Sequence, residues 1–555
     1  MTGVRRRRWL AALAAAAVVV AGVVVLRTGD TPDAPSPQRV RIQEGGTVRT
    51  TAIQEPTGFN PHTSKDGGGV ALQAVDATMY PSVFRIHPDF SFRLDQTFMV
   101  SAKLTSHNPQ TITYRIRPEA SWSDGTPITA DDFVYLWRNS NGTNPKIDTV
   151  TTVGYDRIGR VDGSADGKTV TVVFSQNFAE WPSLFTNLVP AHYVQHQPGG
   201  WNSGLDKHPE DIPSGGPFKI AGFRPGETLT LQRNDRYWGP RAHLDQILIR
   251  LVPDSDAELH ALRNREADLI NPEPTADLVN TVRQLSGVTT QASPTLGPEH
   301  LLLNLGHPIL AELAVRQAIA TAIDIQQLVD RLVQPVDPNA QVLGNRIWLT
   351  GQQPYQDHSG GYGKGNTQAA KRLLERAGWS LGADGVYAKD GERLELRYAT
   401  FTEQDPRRRA QGELLQAQLA KAGIELSLLN ATLDTLFEWV GEGNFDIANF
   451  YWLGNAFAIS GNQDIYRSRG DGNFGKFADP TVDALFQQAI GELDPARAAA
   501  IGNQIDQQLW TQLPSIPLYQ VPSFVAWRQD LLNIVNNPTT ESVFWNAGSW
   551  GYANP

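Results

Sequence analysis

His192 and His196 stand four residues apart, the spacing that places two imidazoles on one helix face where a zinc ion could sit. Pro190 and Pro198 bracket them and the glutamate of an H-E-x-x-H site is missing, so a surface or packing pair is the better reading. Gly361 to Gly365, GYGKG, suggests a phosphate loop, but its spacing fits neither nucleotide fingerprint. The chain has no G-x-S-x-G and no P-loop, and its cysteine count of zero excludes thiol catalysis. Asp131 and Asp132 suit a helix start better than acid–base work. A glycosidase pair stays open, because such carboxylates meet only in three dimensions. Asp66 and Gly67, heading the run Gly67-Gly68-Gly69, form either a turn before a helix or a bare backbone against a ligand. Asp66 is the local anion best placed for a cationic group. No catalytic residue, metal site or cofactor follows from these residues, which leaves binding as the chemistry to explain.

The elements that would position a binding site are legible. Residues 111–117 alternate apolar and polar, as a half-buried strand does. Asp124-Gly125 supplies a turn, and Thr129 with Asp132 predicts a helix start carrying Phe133, Leu136 and Trp137 on one face. A first strand is predicted at 47–53, a hairpin at 218–223 and 228–233 around Pro225-Gly226, and a strand at 247–252. Ser255 with Glu258 reads as a capping box. A short helix is expected within 180–189, a buried strand at 301–305 and one long helix over 311–333. Beyond these the pattern alternates: helix 368–377 capped by Thr367, strand 394–399, helix 407–422, strand 424–429, helix 433–440 and strand 445–451. Asp479-Pro480 and Asp494-Pro495 each predict an N-cap followed by proline. Two closing strands are expected at 516–519 and 524–527.

Arg5 to Arg8 precede an apolar run from Trp9 to Leu26, so the remainder faces outward. A cleaved signal peptide and an uncleaved membrane anchor both fit residues 1–29. Residues 30–44 read as a Pro-rich tether. Setting aside the five leader arginines, Arg5 to Arg8 and Arg27, takes the formal charge from −10 to −15. An acidic exterior argues against nucleic acid as a partner. More than one domain is expected at this length.

The run from Trp122 to Trp137, WSDGTPITADDFVYLW, resembles the signature of extracellular solute-binding protein family 5. The GPFK hairpin from Gly216 to Lys219, the NDRYW of Asn234 to Trp238 and the VRQAIATAID of Val315 to Asp324 are similar to further motifs of that family. The resemblance implies an α/β, two-lobed type II periplasmic-binding-protein fold with an extra subdomain in lobe 1. It implies lobe 1 over 45–302 with a subdomain at about 87–210, lobe 2 over 303–510 and a C-terminal return to lobe 1 over 511–555. The implied function is capture of a peptide or modified peptide and its delivery to an ABC permease, by a monomer exported to the cell surface. Some relatives are linked instead to cell-envelope glycolipid metabolism, and an exported hydrolase is a third reading. In the resembled oligopeptide receptors a G-x-F-D strand runs into W-x-A-D, whose aspartate pairs with the peptide's amino group. Here Trp452 matches the tryptophan, while Asn455 falls at the aspartate and Asn449 at a position often basic. A neutral amide beside Tyr451 and Trp452 suits a capped peptide or another amphipathic solute. Tyr519 matches a family tyrosine on the returning strand.

Overall fold

A computed structural model describes residues 41–65, 69–402, 406–452 and 457–554. The leader, most of the tether, and the site candidates Asp66, Gly67 and Asn455 lie outside the described residues. Among those described, no helix is long and apolar enough to cross a membrane.

Ten strands form one sheet. Across it they run Glu425–Ala431, Glu395–Phe401, Ile447–Tyr451, Val288–Leu303, Ser515–Arg528, Leu269–Ile270, Thr47–Ala52, Gln246–Leu251, Thr228–Arg233 and Phe218–Arg224. Two long antiparallel strands, Val288–Leu303 and Ser515–Arg528, sit in the middle and serve both halves. Their ladder slips between Pro294 and Pro298, opposite Pro522. Proline brings no N–H to a ladder, so the break falls where prolines gather. Side chains bridge the gap instead. The Thr295 hydroxyl donates to the Val521 carbonyl at 2.7 Å, and Gln520 Nε2 donates to the Thr295 carbonyl at 2.7 Å.

Each half contains parallel strands. Thr47–Ala52 lies parallel to Gln246–Leu251 and Leu269–Ile270, and Glu395–Phe401 lies parallel to Glu425–Ala431 and Ile447–Tyr451. Register fixes where their carboxyl ends point. Ile270 pairs with Ala526 and Tyr451 with Glu299, so both sets end toward the slip at 294–298. In open α/β sheets that edge is where ligands bind.

A separate four-stranded antiparallel sheet, with Met99–His107, Gln110–Ile116, Thr169–Phe174 and Ile158–Gly163 in that order, packs against helix Ala130–Ser140. Thr129 and Asp132 cap that helix reciprocally: Asp131 N–H donates to Thr129 Oγ1 and Thr129 N–H to Asp132 Oδ2. Asp132 also accepts from Ala191 N–H at 3.0 Å, an acceptor role that ties the helix to the next segment.

Several local expectations are corrected. Asp254, one residue before Ser255, caps helix Ser255–Arg263 by accepting from Ala257 N–H at 2.8 Å. Glu258 turns inward to accept from the Thr51 hydroxyl at 2.7 Å. Asn366, not Thr367, caps helix Thr367–Arg376. The stretch 311–333 divides because Asp324 opens a new helix, Ile325–Leu328. Within 180–189 only the 3-10 turn Trp181–Ser183 forms. The two closing strands are one, Ser515–Arg528. His192 pairs with Asp124 Oδ2 at 2.7 Å. Gly363 and Gly365, both at positive φ, fold the GYGKG loop onto the carbonyls of Ala320 and Ile323.

Candidate functional site

Glu299 lies on the long strand next to the slip, flanked in register by Tyr451 on one side and Tyr519 on the other. Cross-strand partners share a sheet face, so these three side chains form a row. Helix Pro406–Lys421 covers that row and brings two guanidinium groups onto it. Arg408 binds the Glu299 carboxylate in a two-pronged bond, Nη1 to Oε1 at 2.7 Å and Nη2 to Oε2 at 3.1 Å, with both side chains fully buried. Asn449 Nδ2 adds a bond to Oε1 at 2.6 Å. Arg407 stands 3.6 Å from Oε2 and donates to the Tyr519 hydroxyl at 2.6 Å. That hydroxyl in turn donates to Gln411 Oε1. Burial acts to raise the Glu299 carboxyl, but Arg408, Arg407 and Asn449 outweigh it and hold the group below its ordinary value.

Tyr519 therefore reaches the site with its hydroxyl engaged by Arg407 and Gln411, and its ring is wholly buried. Tyr451 is half-buried, with the Arg408 guanidinium 5.5 Å above its ring. Burial, then the charge of Glu273 in the segment after strand Leu269–Ile270, push its phenol up. It also packs on the slip: a side chain at Gly297 would stand 2.9 Å from the Tyr451 ring.

Trp452 falls on the opposite face. Its ring lies parallel to Phe474 at 6.0 Å and to His300 at 6.4 Å, and meets Phe450 edge-on at 5.2 Å. Burial lowers His300 to about 4, so the imidazole is neutral. Among the described residues Trp452 Nε1 has no hydrogen-bond partner.

A cavity of about 410 Å³ opens between the halves. His62, Asp76, Phe84 and Phe92 line it from the first half, and Phe457 and Asp464 from the second. The Phe92 and Phe457 rings are 3.9 Å apart. Burial lowers His62 to about 4, so the cavity's charged lining is acidic on this side.

The structure thus brings Tyr451 and Tyr519 together around Glu299 and puts Trp452 on the far face of the same strands. Sequence reading missed Glu299, His300, Arg407 and Arg408. One signal was available. Arg407, Arg408 and Arg409 crowd the first turn of a helix, where the macrodipole disfavours cations, so their charges had to serve another partner.

Residues 99–474 match the sequence profile of the bacterial extracellular solute-binding proteins, family 5 Middle. The chain belongs to this family. The family 5 chain is 35% identical over 512 residues to the oligopeptide-binding protein OppA of Mycobacterium tuberculosis, covering 91% of this chain and 85% of that one. It is 36% identical over 279 residues to the probable monoacyl phosphatidylinositol tetramannoside-binding protein LpqW of the same species, covering 49% of this chain and 43% of that one. The solved structure of the periplasmic EDTA-binding protein EppA matches with a TM-score of 0.87 at 28% identity, over 95% of this chain and 100% of that one. The architecture is the two-lobed type II periplasmic-binding fold with an extra subdomain, and as a family 5 member the protein is an exported binding protein.

Proposed function

We propose that this family 5 protein is the receptor of an ABC importer and captures a peptide or modified peptide between two lobes. The observation that carries the reading is the cavity of about 410 Å³ whose walls come from loops and helices on both sides of the slip in sequence, with Phe84 and Phe92 before it and Phe457 and Asp464 after it. Among the described residues two continuous strands join the two halves of the sheet, and the ladder between them slips at 294–298, opposite Pro522. Parting the lobes about that slip admits a solute, and closing buries it. The lobes are then 45–302, with the subdomain at about 87–210, and 303–510, with 511–555 returning to lobe 1. Tyr451 and Trp452 contribute aromatic surface at the carboxyl edge, Tyr519 acts through Arg407, and the sequence candidates Asn455, Asp66 and Gly67 complete the ligand set. Residues 1–29, as a cleaved signal peptide or an uncleaved anchor, take the monomeric receptor to the outer face of the membrane, where its permease lies.

Native mass spectrometry of the purified chain, alone and after incubation with a tryptic digest of casein, tests this. Retained peptides are expected. A chain that retains none and shows no thermal shift with the digest overturns the reading. A second reading, binding of an envelope glycolipid without transport, draws on the LpqW similarity. A retained mannolipid in place of peptide would favour it.

A further inference from the structure

Helix Ala458–Tyr466 begins at Phe457, which has no side-chain group to cap it. A helix start leaves N–H groups unbonded unless a neighbour accepts from them, and a Ser, Thr, Asp or Asn at the cap normally does so. Here the acceptor comes from 279 residues earlier in the sequence. Glu180 Oε1 accepts from Ile459 N–H at 3.0 Å, and Oε2 from Ser460 N–H at 2.7 Å.

The two partners belong to different lobes. Glu180 follows Phe178, whose backbone N–H and carbonyl are both bonded to the Gln110 side chain, at 2.7 and 2.9 Å, within the lobe 1 subdomain. The helix is fixed to lobe 2: Gly472 N–H donates to the Asp464 carbonyl at 3.0 Å, and three residues on the Gly475 carbonyl accepts from Leu305 N–H at 2.8 Å. Neighbouring contacts reinforce the junction. Ala179 N–H donates to the Ile490 carbonyl at 2.7 Å, and Asn177 Nδ2 to the Gly491 carbonyl at 3.4 Å. On one side Ser183 and Leu184, and on the other Phe457, Ser460 and Gly461, line the cavity between the lobes.

We infer that Glu180 is a clasp, capping a lobe 2 helix from lobe 1 and holding the cavity shut without a ligand. An ionised carboxylate on two backbone N–H groups makes charge-assisted bonds, stronger than neutral ones. No strand that joins the lobes takes part, so these bonds break when the lobes part. The free protein then favours the closed form, and a solute enters through the minor open population. The inference rests on the hinged-lobe reading above.

The chain has no cysteine, so Lys103→Cys in the subdomain and Arg372→Cys in lobe 2 give two unique spin-label sites. Electron–electron distances are measured on the full chain in detergent micelles at about pH 7.5, roughly three units above the ordinary glutamate value, because burial pushes the Glu180 carboxyl up. The ligand-free wild type is expected to show chiefly the shorter distance. Glu180→Ala should lower the closed-to-open ratio about tenfold. Glu180→Gln should act in the same direction but by less, because the neutral amide loses the charge-assisted character of the bonds; its side chain has nearly the same shape, so it stands in if Glu180→Ala does not fold. Distances in both variants equal to the wild type's overturn the clasp. If the casein digest still shortens the wild-type distance in that case, the receptor reading survives. If no variant and no digest changes any distance, both fall.

Discussion

At the scale of single residues, the strongest energetic statement concerns Glu299 and Arg408. A buried ion pair is costly to assemble, yet removing one partner leaves the other charge stranded. Arg408→Met should therefore destabilise the protein by about 3–5 kcal/mol. The double change Glu299→Leu with Arg408→Met should recover most of that loss in denaturant unfolding. A double variant as unstable as the single one would mean that the pair does more than neutralise itself. Glu258 offers a second test. Burial raises its carboxyl from 4.5 to about 7, so the folded state holds a proton that the unfolded chain releases. Stability contributed at acid pH is thus lost as pH rises from about 4.5 to about 7. Glu258→Gln keeps an acceptor for Thr51 but does not titrate. Relative to wild type it should gain up to about 3 kcal/mol between about pH 5 and pH 8. A gain independent of pH would refute the assignment. Neither residue was legible as an inward-facing group. Glu258 sits three residues after Ser255 and imitates a capping box, while Glu299 looks like any polar residue before an apolar run.

At the scale of elements, helix Ala130–Ser140 shows how far sequence reaches. Thr129 and Asp132 were readable as its cap because the bonds are local, within three residues. The bond from Ala191 N–H to Asp132 was not, since it joins groups 59 residues apart. This gives a graded expectation. Thr129→Ala should cost about 1 kcal/mol, as a lost cap does. Asp132→Ala should cost about 2–3 kcal/mol, because it also leaves a buried N–H unbonded. Equal losses by calorimetry would show that the Ala191 bond contributes little. Burial raises Asp132 from 3.8 to about 6, so the wild-type group adds stability as pH falls through that range, and the penalty of Asp132→Ala should grow from about pH 6 down to about pH 4. The displaced caps at Asp254 and Asn366 follow the same logic. Two capping residues stood side by side in each case, and backbone geometry selected the earlier one.

For the whole molecule, the expected signature of function is linkage. A solute that binds only the folded, closed form should stabilise it by about 2.7 kcal/mol at a hundredfold excess over its Kd. A rise in Tm with casein peptides that grows with their concentration checks this; a concentration-independent Tm would exclude them as ligands. The family, the alternation of strands and helices, and the aromatic strand end at Tyr451 and Trp452 were all readable from the residues in order. These rest on local patterns and on motifs that survive as contiguous residues. Which side chains meet came from the fold. It placed Tyr451 and Tyr519 about Glu299 under Arg407 and Arg408, turned Trp452 to the other face, and brought Glu180 onto a helix far along the chain. Strand register and lobe packing make those contacts between segments more than a hundred residues apart. No local periodicity encodes them, because each residue's neighbours in sequence are satisfied whichever distant partner arrives.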